Sequence, residues 1–129
     1  MLSTPKTILV TGASQGIGYA LAVQLAQAGH TVIAWARDET KLVALKRAQP
    51  SVFITVVDLA DTGSLAARVG ELLAAHPALS GVIHNAAIQI ETPVASPAYP
   101  ANGVEQEIAI NLTAPIVLSQ LLLDRKSVV

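Results

Sequence analysis

Apolar positions along the chain follow two different spacings that alternate with each other. Short, nearly unbroken apolar runs are typical of buried strands, and four of them occur, at residues 6–11 (KTILVT), 31–36 (TVIAWA), 52–58 (VFITVVD) and 79–86 (LSGVIHNA). The stretches between and after these runs repeat their apolar residues every three or four positions. This spacing predicts helices over about 17–28, over 39–48, from 61 or 62 up to Pro77, and over about 104–123.

Local signals mark the ends of the predicted helices. Gly29 stands where the C-cap of the first helix is expected, and Asp38 is a candidate N-cap for the second, whose Leu42 and Leu45 face inward. Pro115 is expected to kink the last helix because proline lacks a backbone N–H. The other apolar positions predicted to face inward are Ile17, Ala20, Leu21, Leu25 and Ala28 in the first helix, and Leu65, Val69, Leu72 and Leu73 in the third.

This alternation predicts a single α/β domain that spans residues 1–129. Strands that alternate with helices form βαβ units, so we expect a doubly wound parallel sheet with helices on both faces. Its strands should be buried on both sides. SVV at residues 127–129 reads as the start of another strand. The sheet is therefore predicted to be incomplete after the fourth strand or at the start of a fifth, which leaves the fourth strand as an exposed apolar edge.

Composition removes several classes of protein from consideration. With 52% hydrophobic and 13% charged residues, the chain has ample material for a core. A net charge of −1 and 3% aromatic residues argue against a nucleic-acid or membrane partner. No cysteine is present, so disulfides and thiolate metal sites are excluded, and no metal site is predicted. There is no signal-peptide pattern and no unbroken apolar run of ~18 residues, so the expected location is the cytoplasm.

Three glycines lie between the first strand and the first helix, at Gly12, Gly16 and Gly18 of TGASQGIG. At this turn of a doubly wound, Rossmann-like fold, glycine lets the backbone approach a phosphate, and the helix N-terminus offers free N–H groups. The spacing G-x-x-x-G-x-G differs from G-x-G-x-x-G, so a tight connection that binds nothing is the alternative. No Lys-Ser/Thr pair follows, which argues against a nucleoside-triphosphate loop.

Together with three later motifs, TGASQGIG at residues 11–18 resembles the short-chain dehydrogenase/reductase family. DL at 58–59 ends the third strand, HNAA at 84–87 ends the fourth, and Asn111 lies in the last helix. The resemblance implies an NAD(P)-dependent oxidoreductase that transfers hydride between nicotinamide and a carbonyl or alcohol substrate. The cofactor-binding residues that it implies are Gly12, Ser14, Gln15, Gly16, Ile17, Gly18, Arg37, Asp58, Leu59, Asn85, Ala86 and Ala87.

Two departures from the family pattern change what this chain is expected to do. HNAA at 84–87 replaces the family's Asn-Asn-Ala-Gly at its first and last positions. His84 is interpreted as a strand-end residue that satisfies a neighbouring backbone group, in preference to a catalytic role. The family's Tyr-x-x-x-Lys is missing, because position 103 after Tyr99 is glycine and Tyr19 lies in the glycine-motif helix. Ser127 precedes the position of the family's catalytic Ser, so the catalytic Ser, Tyr and Lys are all expected to be absent.

Asn111 is the catalytic position of the family that the sequence retains. The resemblance implies that it orders the helix and a water molecule in a proton relay. Without the resemblance, an asparagine that bonds a backbone carbonyl at a kink, one turn before Pro115, is an equally good interpretation.

The end of the second strand indicates which dinucleotide would bind. NAD-preferring members of the family carry an acid there, whereas this chain has Ala36 followed by Arg37. A guanidinium suits a 2′-phosphate because its donors match the phosphate oxygens, and the Ser14 hydroxyl can add to the same contact. Gln15 stands where many NADP-binding members have a basic residue. NADP is therefore favoured over NAD, the alternative being that Arg37 is a solvated loop charge and Asp38 a helix cap.

Two functions of different class remain. In the first, the chain carries the cofactor-binding half of an NADP-dependent oxidoreductase whose full-length form is a homo-oligomer acting on a small carbonyl or alcohol substrate. In the second, it is an inactive or non-enzymatic dinucleotide-binding fragment. An epimerase or dehydratase of the extended branch of the superfamily is less favoured, because its glycine spacing is usually different. A methyltransferase is less favoured because it would leave the three later motifs unexplained.

Overall fold

A four-stranded parallel sheet forms the centre of the fold, which a computed structural model describes for residues 4–123. Its strands are β1 (Thr7–Thr11), β2 (Thr31–Ala36), β3 (Phe53–Val56) and β4 (Leu79–Ile83). They lie in the order β3-β2-β1-β4, and every neighbouring pair is parallel. The predicted doubly wound sheet is confirmed, because the chain builds outward from β1 on one side and then returns to add β4 on the other. Within the described residues β4 is an edge strand, as expected.

The helices of the described part lie on both faces of this sheet. They are α1 (Gly16–Gln27), α2 (Glu39–Ala48), α3 (Leu65–Ala75), α4 (Gly103–Ile108) and α5 (Ala114–Leu123). A short 3₁₀ turn at Thr62–Ser64 precedes α3, and a π-helical stretch at Ala109–Thr113 joins α4 to α5. The strand predicted at residues 127–129 lies outside the described residues.

Two separate cores flank the sheet. Successive side chains of β1 point to opposite faces, so Leu9 packs in one core with α3 and α5 while Val10 packs in the other with α1 and α2. Leu42 and Leu45 of α2 are fully buried, as their spacing predicted. Burial of each of these side chains stabilises the fold by about 1.5–3 kcal/mol.

The helix ends follow the local signals closely. Asp38 caps α2 as predicted, because its carboxylate Oδ1 accepts a hydrogen bond of 3.0 Å from the backbone N–H of Lys41. The C-cap of α1 is Ala28, one residue before the expected Gly29, and Gly29 follows the cap with a φ of +94°. Glycine suits that position because other residues rarely adopt a positive φ.

Several boundaries differ from those read from the sequence. β3 ends at Val56, before Asp58, and β4 ends at Ile83, so the HNAA motif at 84–87 follows the strand. The third helix begins at Leu65, because the Asp61 side chain makes no capping hydrogen bond and a 3₁₀ turn intervenes. The prediction that every strand is buried on both sides is wrong for β3. As an edge strand with one neighbour, it leaves Phe53 48% exposed.

The buried face of α1 consists of small residues. Gly18 and Ala22 are buried, whereas Ile17, predicted to face inward, is 74% exposed. Ala20 and Ala28, also predicted to face inward, are exposed as well. The reason is that the first turn of α1 packs through backbone against the loop after β1, and this contact turns the bulkier neighbours toward solvent.

Pro115 shapes the last helix through the bond that it cannot make. In an α-helix its N–H would donate to the carbonyl of Asn111, four residues earlier, but proline has no N–H. The preceding turn is wider, and the N–H of Ala114 donates to the carbonyl of Ala109, five residues back. The irregularity predicted at Pro115 therefore takes the form of the π-helical stretch.

One side of the continuous helix Gly103–Leu123 is apolar and exposed. The exposed side chains are Val104, Ile108, Leu112, Ile116 and Leu123. By length and composition alone this helix could cross a membrane, and it is the one such helix among residues 4–123. The sequence contains no unbroken apolar run that predicted it. The core helix of a soluble protein passes the same test, and Leu118 and Leu122 of this helix belong to the core that α3 also lines.

Candidate functional site

A cleft of about 400 Å³ opens at the carboxyl ends of the parallel strands. In doubly wound sheets this end of the strands, next to the point where the strand order reverses, is where ligands bind. Nine residues predicted to bind a cofactor line the cleft: Gly12, Ser14, Gln15, Gly16, Arg37, Leu59, Asn85, Ala86 and Ala87. Four predicted site residues do not line it: Ile17, Gly18, Asp58 and Asn111.

The loop between β1 and α1 turns sharply at two glycines with positive φ. Gly12 has a φ of +66° and donates its N–H to the carbonyl of Trp35 at 2.8 Å. Gly16 has a φ of +59°, and a Cβ built there would meet nothing within 4 Å. The space beside Gly16 is therefore open, and the restriction at that position comes from the backbone conformation.

Gly18 is restricted by packing. A Cβ at this position would lie 2.2 Å from the carbonyl oxygen of Gly12 and 2.4 Å from Nδ2 of Asn85. Gly18 does not line the cleft, so its contribution is to let α1 approach the loop closely. A side chain at position 18 would therefore disturb the close packing of α1 on the loop.

A hydrogen-bond network ties the glycine loop to the end of β4. The buried hydroxyl of Thr11 accepts from the backbone N–H groups of Asn85 and Ala86, each at 3.1 Å. Nδ2 of Asn85 donates to the carbonyl of Gly12 at 3.0 Å. The sequence analysis placed Thr11 at the end of the first strand and the start of the glycine motif, and assigned no contact to its side chain. Its place directly before Gly12 was the available signal.

The donor set at the start of α1 fits a phosphate group. The N-cap residue Gln15 makes no side-chain cap hydrogen bond, and the first turn contains no acidic residue. The first backbone N–H groups of a helix have no partner within the helix, and they carry a partial positive charge. The side chain of Ile17 is exposed and does not line the cleft, so any part that Ile17 plays would come from its backbone N–H.

Three charged residues that follow the carboxyl end of β2 lie at the cleft. Arg37, Asp38 and Lys41 all line the cleft. Within residues 4–123, the structure shows no hydrogen bond or ion pair for the Arg37 side chain. The Lys41 ammonium donates to Oε1 of Gln15, which also lines the cleft. The sequence analysis did not identify Lys41 as a site residue, because in the sequence it is one polar residue on the exposed face of a helix.

The DL motif after β3 divides between two roles. Leu59 is buried and lines the cleft. Asp58 does not line it, and its carboxylate Oδ1 accepts from the backbone N–H of Ala60 at 2.9 Å. In this structure the Asp58 side chain supports the turn that leads away from β3.

Asn111 binds the segment that follows β4. Its Oδ1 accepts from the N–H of Ile88 at 2.8 Å, and its Nδ2 donates to the carbonyl of Ile88 at 2.7 Å. Both polar atoms of the side chain are thus engaged with backbone, at the π-helical stretch beside Pro115. This arrangement includes the backbone-carbonyl bond of the simpler interpretation, and it also orders the chain next to the cleft, because Ile88 is a lining residue.

His84 contacts a side chain and not the backbone group that was expected. Its Nε2 lies 2.8 Å from the hydroxyl of Ser119 on α5. Partial desolvation of the ring lowers the pKa of His84 from its usual 6.5. Among the described residues there is no cluster of three or more His, Cys, Asp or Glu side chains that could hold a metal ion.

Comparison with known proteins agrees with this geometry. The family model for short chain dehydrogenases matches residues 6–127. L-xylulose reductase of Caenorhabditis elegans is 34% identical over 119 residues, which are 92% of this chain and 47% of that protein. The chain spans about half the length of the curated relatives it matches.

Two solved structures with bound dinucleotide are similar in fold and sequence. A metagenomic short-chain oxidoreductase in complex with NADP has a TM-score of 0.79 and 31% identity, over 90% of this chain and 53% of that one. A short-chain dehydrogenase from Sphingobium yanoikuyae in complex with NADPH has a TM-score of 0.74 and 32% identity, over 91% of this chain and 46% of that one. This chain belongs to the short-chain dehydrogenase family, whose members are NAD(P)-dependent oxidoreductases.

Proposed function

We propose that this chain forms the dinucleotide-binding half of an oxidoreductase that prefers NADP to NAD. The observation that carries the proposal is the position of Arg37, which lines the cleft directly after β2 and has no protein partner in the described part of the chain. A free guanidinium at that point suits a 2′-phosphate, whereas an NAD site would need an acceptor for two ribose hydroxyls. The NADP and NADPH bound to two similar structures support the same preference.

The other predicted residues then take roles that their contacts allow. The uncapped N-terminus of α1 and the open space beside Gly16 would receive the pyrophosphate. Ser14, which lines the cleft, would add a hydroxyl to the 2′-phosphate. Asn85 and Ala86 hold the loop through Thr11, and Leu59 would provide an apolar wall for the adenine. The bound dinucleotide would supply or accept the hydride.

The substrate side of the reaction is proposed at the level of chemical class. Members of the family act on small carbonyl or alcohol substrates, and we extend that class to the complete enzyme to which this chain corresponds. We also propose a cytoplasmic, homo-oligomeric enzyme. The exposed apolar side of the helix Gly103–Leu123 is a surface that a second subunit could cover.

A second function is favoured by one specific feature of the sequence. Neither tyrosine begins a Tyr-x-x-x-Lys pattern, since the fourth residue after Tyr19 is Val23 and the fourth after Tyr99 is Gly103. A chain without that pair has no proton donor beside the nicotinamide and would bind the dinucleotide without turning it over. Binding of NADPH with no oxidation in the presence of aldehydes and ketones would favour this non-enzymatic function for the 129-residue chain.

Titration with NADPH and NADH tests the proposal directly. Trp35 is the only tryptophan, is 2% exposed and lines the cleft, so its fluorescence should be quenched by energy transfer to a bound reduced nicotinamide. We expect saturable binding that is about tenfold tighter for NADPH, as one charge-assisted contact of ~1.5 kcal/mol provides.

Arg37→Gln should bring the affinities for NADPH and NADH close together. The matched control Arg47→Gln, which removes an exposed charge of α2 outside the cleft, should leave the preference intact. Equal affinities in the unmodified chain would refute the NADP preference.

A further inference from the structure

The outer edge of the sheet is open along β3. This strand pairs with β2 on one side, and among residues 4–123 no strand pairs with it on the other. Its sequence, FITV, contains neither a charged residue nor a proline, which are the residues that usually protect an open edge. Phe53 is 48% exposed and Val56 is 41% exposed, so apolar side chains as well as backbone are accessible here.

The pairing with β2 shows which backbone groups of β3 point outward. The N–H of Val57 donates to the carbonyl of Ala36 at 2.9 Å, so the backbone of Val57 is directed toward β2. Alternate residues of a strand bond to the same neighbour, and Thr55 is therefore directed toward β2 as well. The N–H and carbonyl groups of Ile54 and Val56 point the other way, to the open edge.

The two ends of β3 carry opposite charges. Before the strand, the Lys46 ammonium reaches over from α2 and donates to the carbonyls of Pro50 and Val52, at 3.1 and 2.8 Å. These two bonds leave one of its three donors. After the strand, the Asp58 carboxylate is exposed, and only its Oδ1 accepts a hydrogen bond, from the N–H of Ala60. Neither charge has an ion-pair partner in the described part of the chain.

A strand with a cation at its start and an anion at its end is complementary to an antiparallel copy of itself. The direction of the backbone groups then selects the register. A two-fold axis at Thr55 places Ile54 of one copy opposite Val56 of the other, so that each of these residues donates and accepts across the axis. The opposed side chains, Ile54 with Val56 and Thr55 with its own copy, are β-branched pairs that favour strand pairing.

The same register brings the charged ends together. Val52 of one copy falls opposite Asp58 of the other, because both lie three residues from the axis at Thr55. The Lys46 ammonium is bound to the Val52 carbonyl and therefore lies where the carboxylate of the second copy arrives. By symmetry this contact occurs at both ends of the strand pair.

We propose that β3 is a self-association edge, at which two copies of this chain pair antiparallel around Thr55, with Lys46 of each copy against Asp58 of the other. The two sheets then continue into one. This surface is separate from the apolar side of the helix Gly103–Leu123, and the inference goes beyond the proposed function. A contact built on one short strand pair belongs to the weak, transient class, so the test captures it covalently.

Thr55→Cys places a thiol at the axis of a chain that has no cysteine of its own. The Cα atoms of such a non-hydrogen-bonded pair lie about 4.5 Å apart, which is within the range of a disulfide. Val56→Cys is the matched control, because that residue is also exposed but faces Ile54 of the other copy. Under mild oxidation at micromolar concentration, we expect Thr55→Cys to form disulfide dimers about tenfold faster than Val56→Cys, because only its thiols come within disulfide range. Equal rates, or no dimer from Thr55→Cys, would overturn the inference.

Charge reversal tests the ends of the strand pair in the Thr55→Cys background. Lys46→Glu and Asp58→Lys should each slow dimer formation about tenfold, because like charges then meet at both ends. The two reversals together should restore the rate to within about threefold, because opposite charges meet again. Arg47→Glu, a reversal next to Lys46 on the same helix, should change the rate by less than about twofold, because exposed charges at a distance are screened. Faster dimer formation by Lys46→Glu would show that Lys46 protects the edge and would overturn the inference, as would a double reversal that restores nothing.

A last variant separates this contact from association through the helix Gly103–Leu123. Ile116 is 58% exposed on the apolar side of that helix, and Ile116→Glu should disrupt any contact made there. In the Thr55→Cys background this change should leave the rate of disulfide formation unaltered. Loss of the disulfide would mean that the two β3 strands meet only within an assembly held by the helix, and self-association at β3 would be refuted.

Discussion

Replacing Gly18 by alanine should damage both the fold and the cleft, although the same change usually stabilises a helix. Gly18 lies in the first turn of α1, where alanine would gain up to about 1 kcal/mol of helix propensity. The new Cβ would lie 2.2 Å from the carbonyl oxygen of Gly12, which is backbone and cannot simply rotate away. It would also lie 2.4 Å from Nδ2 of Asn85 and would displace the hydrogen bond that Asn85 makes to that carbonyl.

The expected size of the effect follows from these two contacts. Overpacking typically costs about 1–3 kcal/mol, and the partly buried carbonyl of Gly12, when it loses its donor, costs about 1 kcal/mol more. After the gain in propensity is subtracted, we expect Gly18→Ala to lower the free energy of unfolding by about 3 kcal/mol. For a domain of this size that corresponds to a fall in melting temperature of roughly 10 °C.

Gly70 provides the matched control. It lies within α3, is exposed, and a Cβ built there would meet nothing within 4 Å. Gly70→Ala should therefore raise the free energy of unfolding by about 0.5–1 kcal/mol. Urea unfolding of both variants, followed by circular dichroism and by the fluorescence of Trp35, measures the difference. NADPH titration shows whether the displaced loop also weakens binding. If Gly18→Ala were as stable as Gly70→Ala, the close packing of α1 on the loop would be refuted.

Three further changes test the surroundings of the cleft. His84→Gln should remove a pH dependence: with the pKa of His84 lowered in the folded chain, the unfolded chain binds more protons below about pH 6.5, so stability falls on acidification. Urea unfolding between pH 5 and 8 measures this loss, which glutamine should abolish. Asn111→Ala should cost about 1 kcal/mol and speed amide hydrogen exchange at Ile88, whose N–H loses its acceptor. Asp38→Asn should keep the cap of α2 while tightening NADPH binding about twofold to fivefold, because one negative charge leaves the rim. Unchanged acid sensitivity, unchanged exchange or weaker NADPH binding would contradict the respective predictions.

Local signals were enough to predict most elements of the fold. The bounds of β2 and α2 agree with the sequence, because four of the six residues of β2 are β-branched or aromatic and because Asp38 is a strong capping residue. The inward face of α1 could not be read in the same way. Hydrophobic spacing selects Ile17, whereas the structure buries Gly18, because the deciding contact is with a backbone oxygen of another element.

The parts of the site that sequence reasoning missed all depend on contacts between distant residues. Lys41 is an ordinary helix lysine until the fold brings it to Gln15, 26 positions earlier. Thr11 reads as the end of a strand until β4 pairs with β1 and brings Asn85 to its hydroxyl, 74 positions later. The glycine motif could be recognised from spacing, but the groups that hold it in shape could not.

These contacts imply that the glycine loop is supported from both strands that flank β1 in the sheet, β2 and β4. On one side the carbonyl of Trp35, at the end of β2, accepts from Gly12. On the other side Asn85 and Thr11 link the same loop to the end of β4. β4 is one of the two edge strands of the described sheet, so the loop depends in part on a strand that pairs on one side only. Any change that strengthens the pairing of β4 should therefore also strengthen dinucleotide binding, and a bound dinucleotide should in turn protect the amides of β4 from hydrogen exchange, because binding and pairing stabilise the same arrangement.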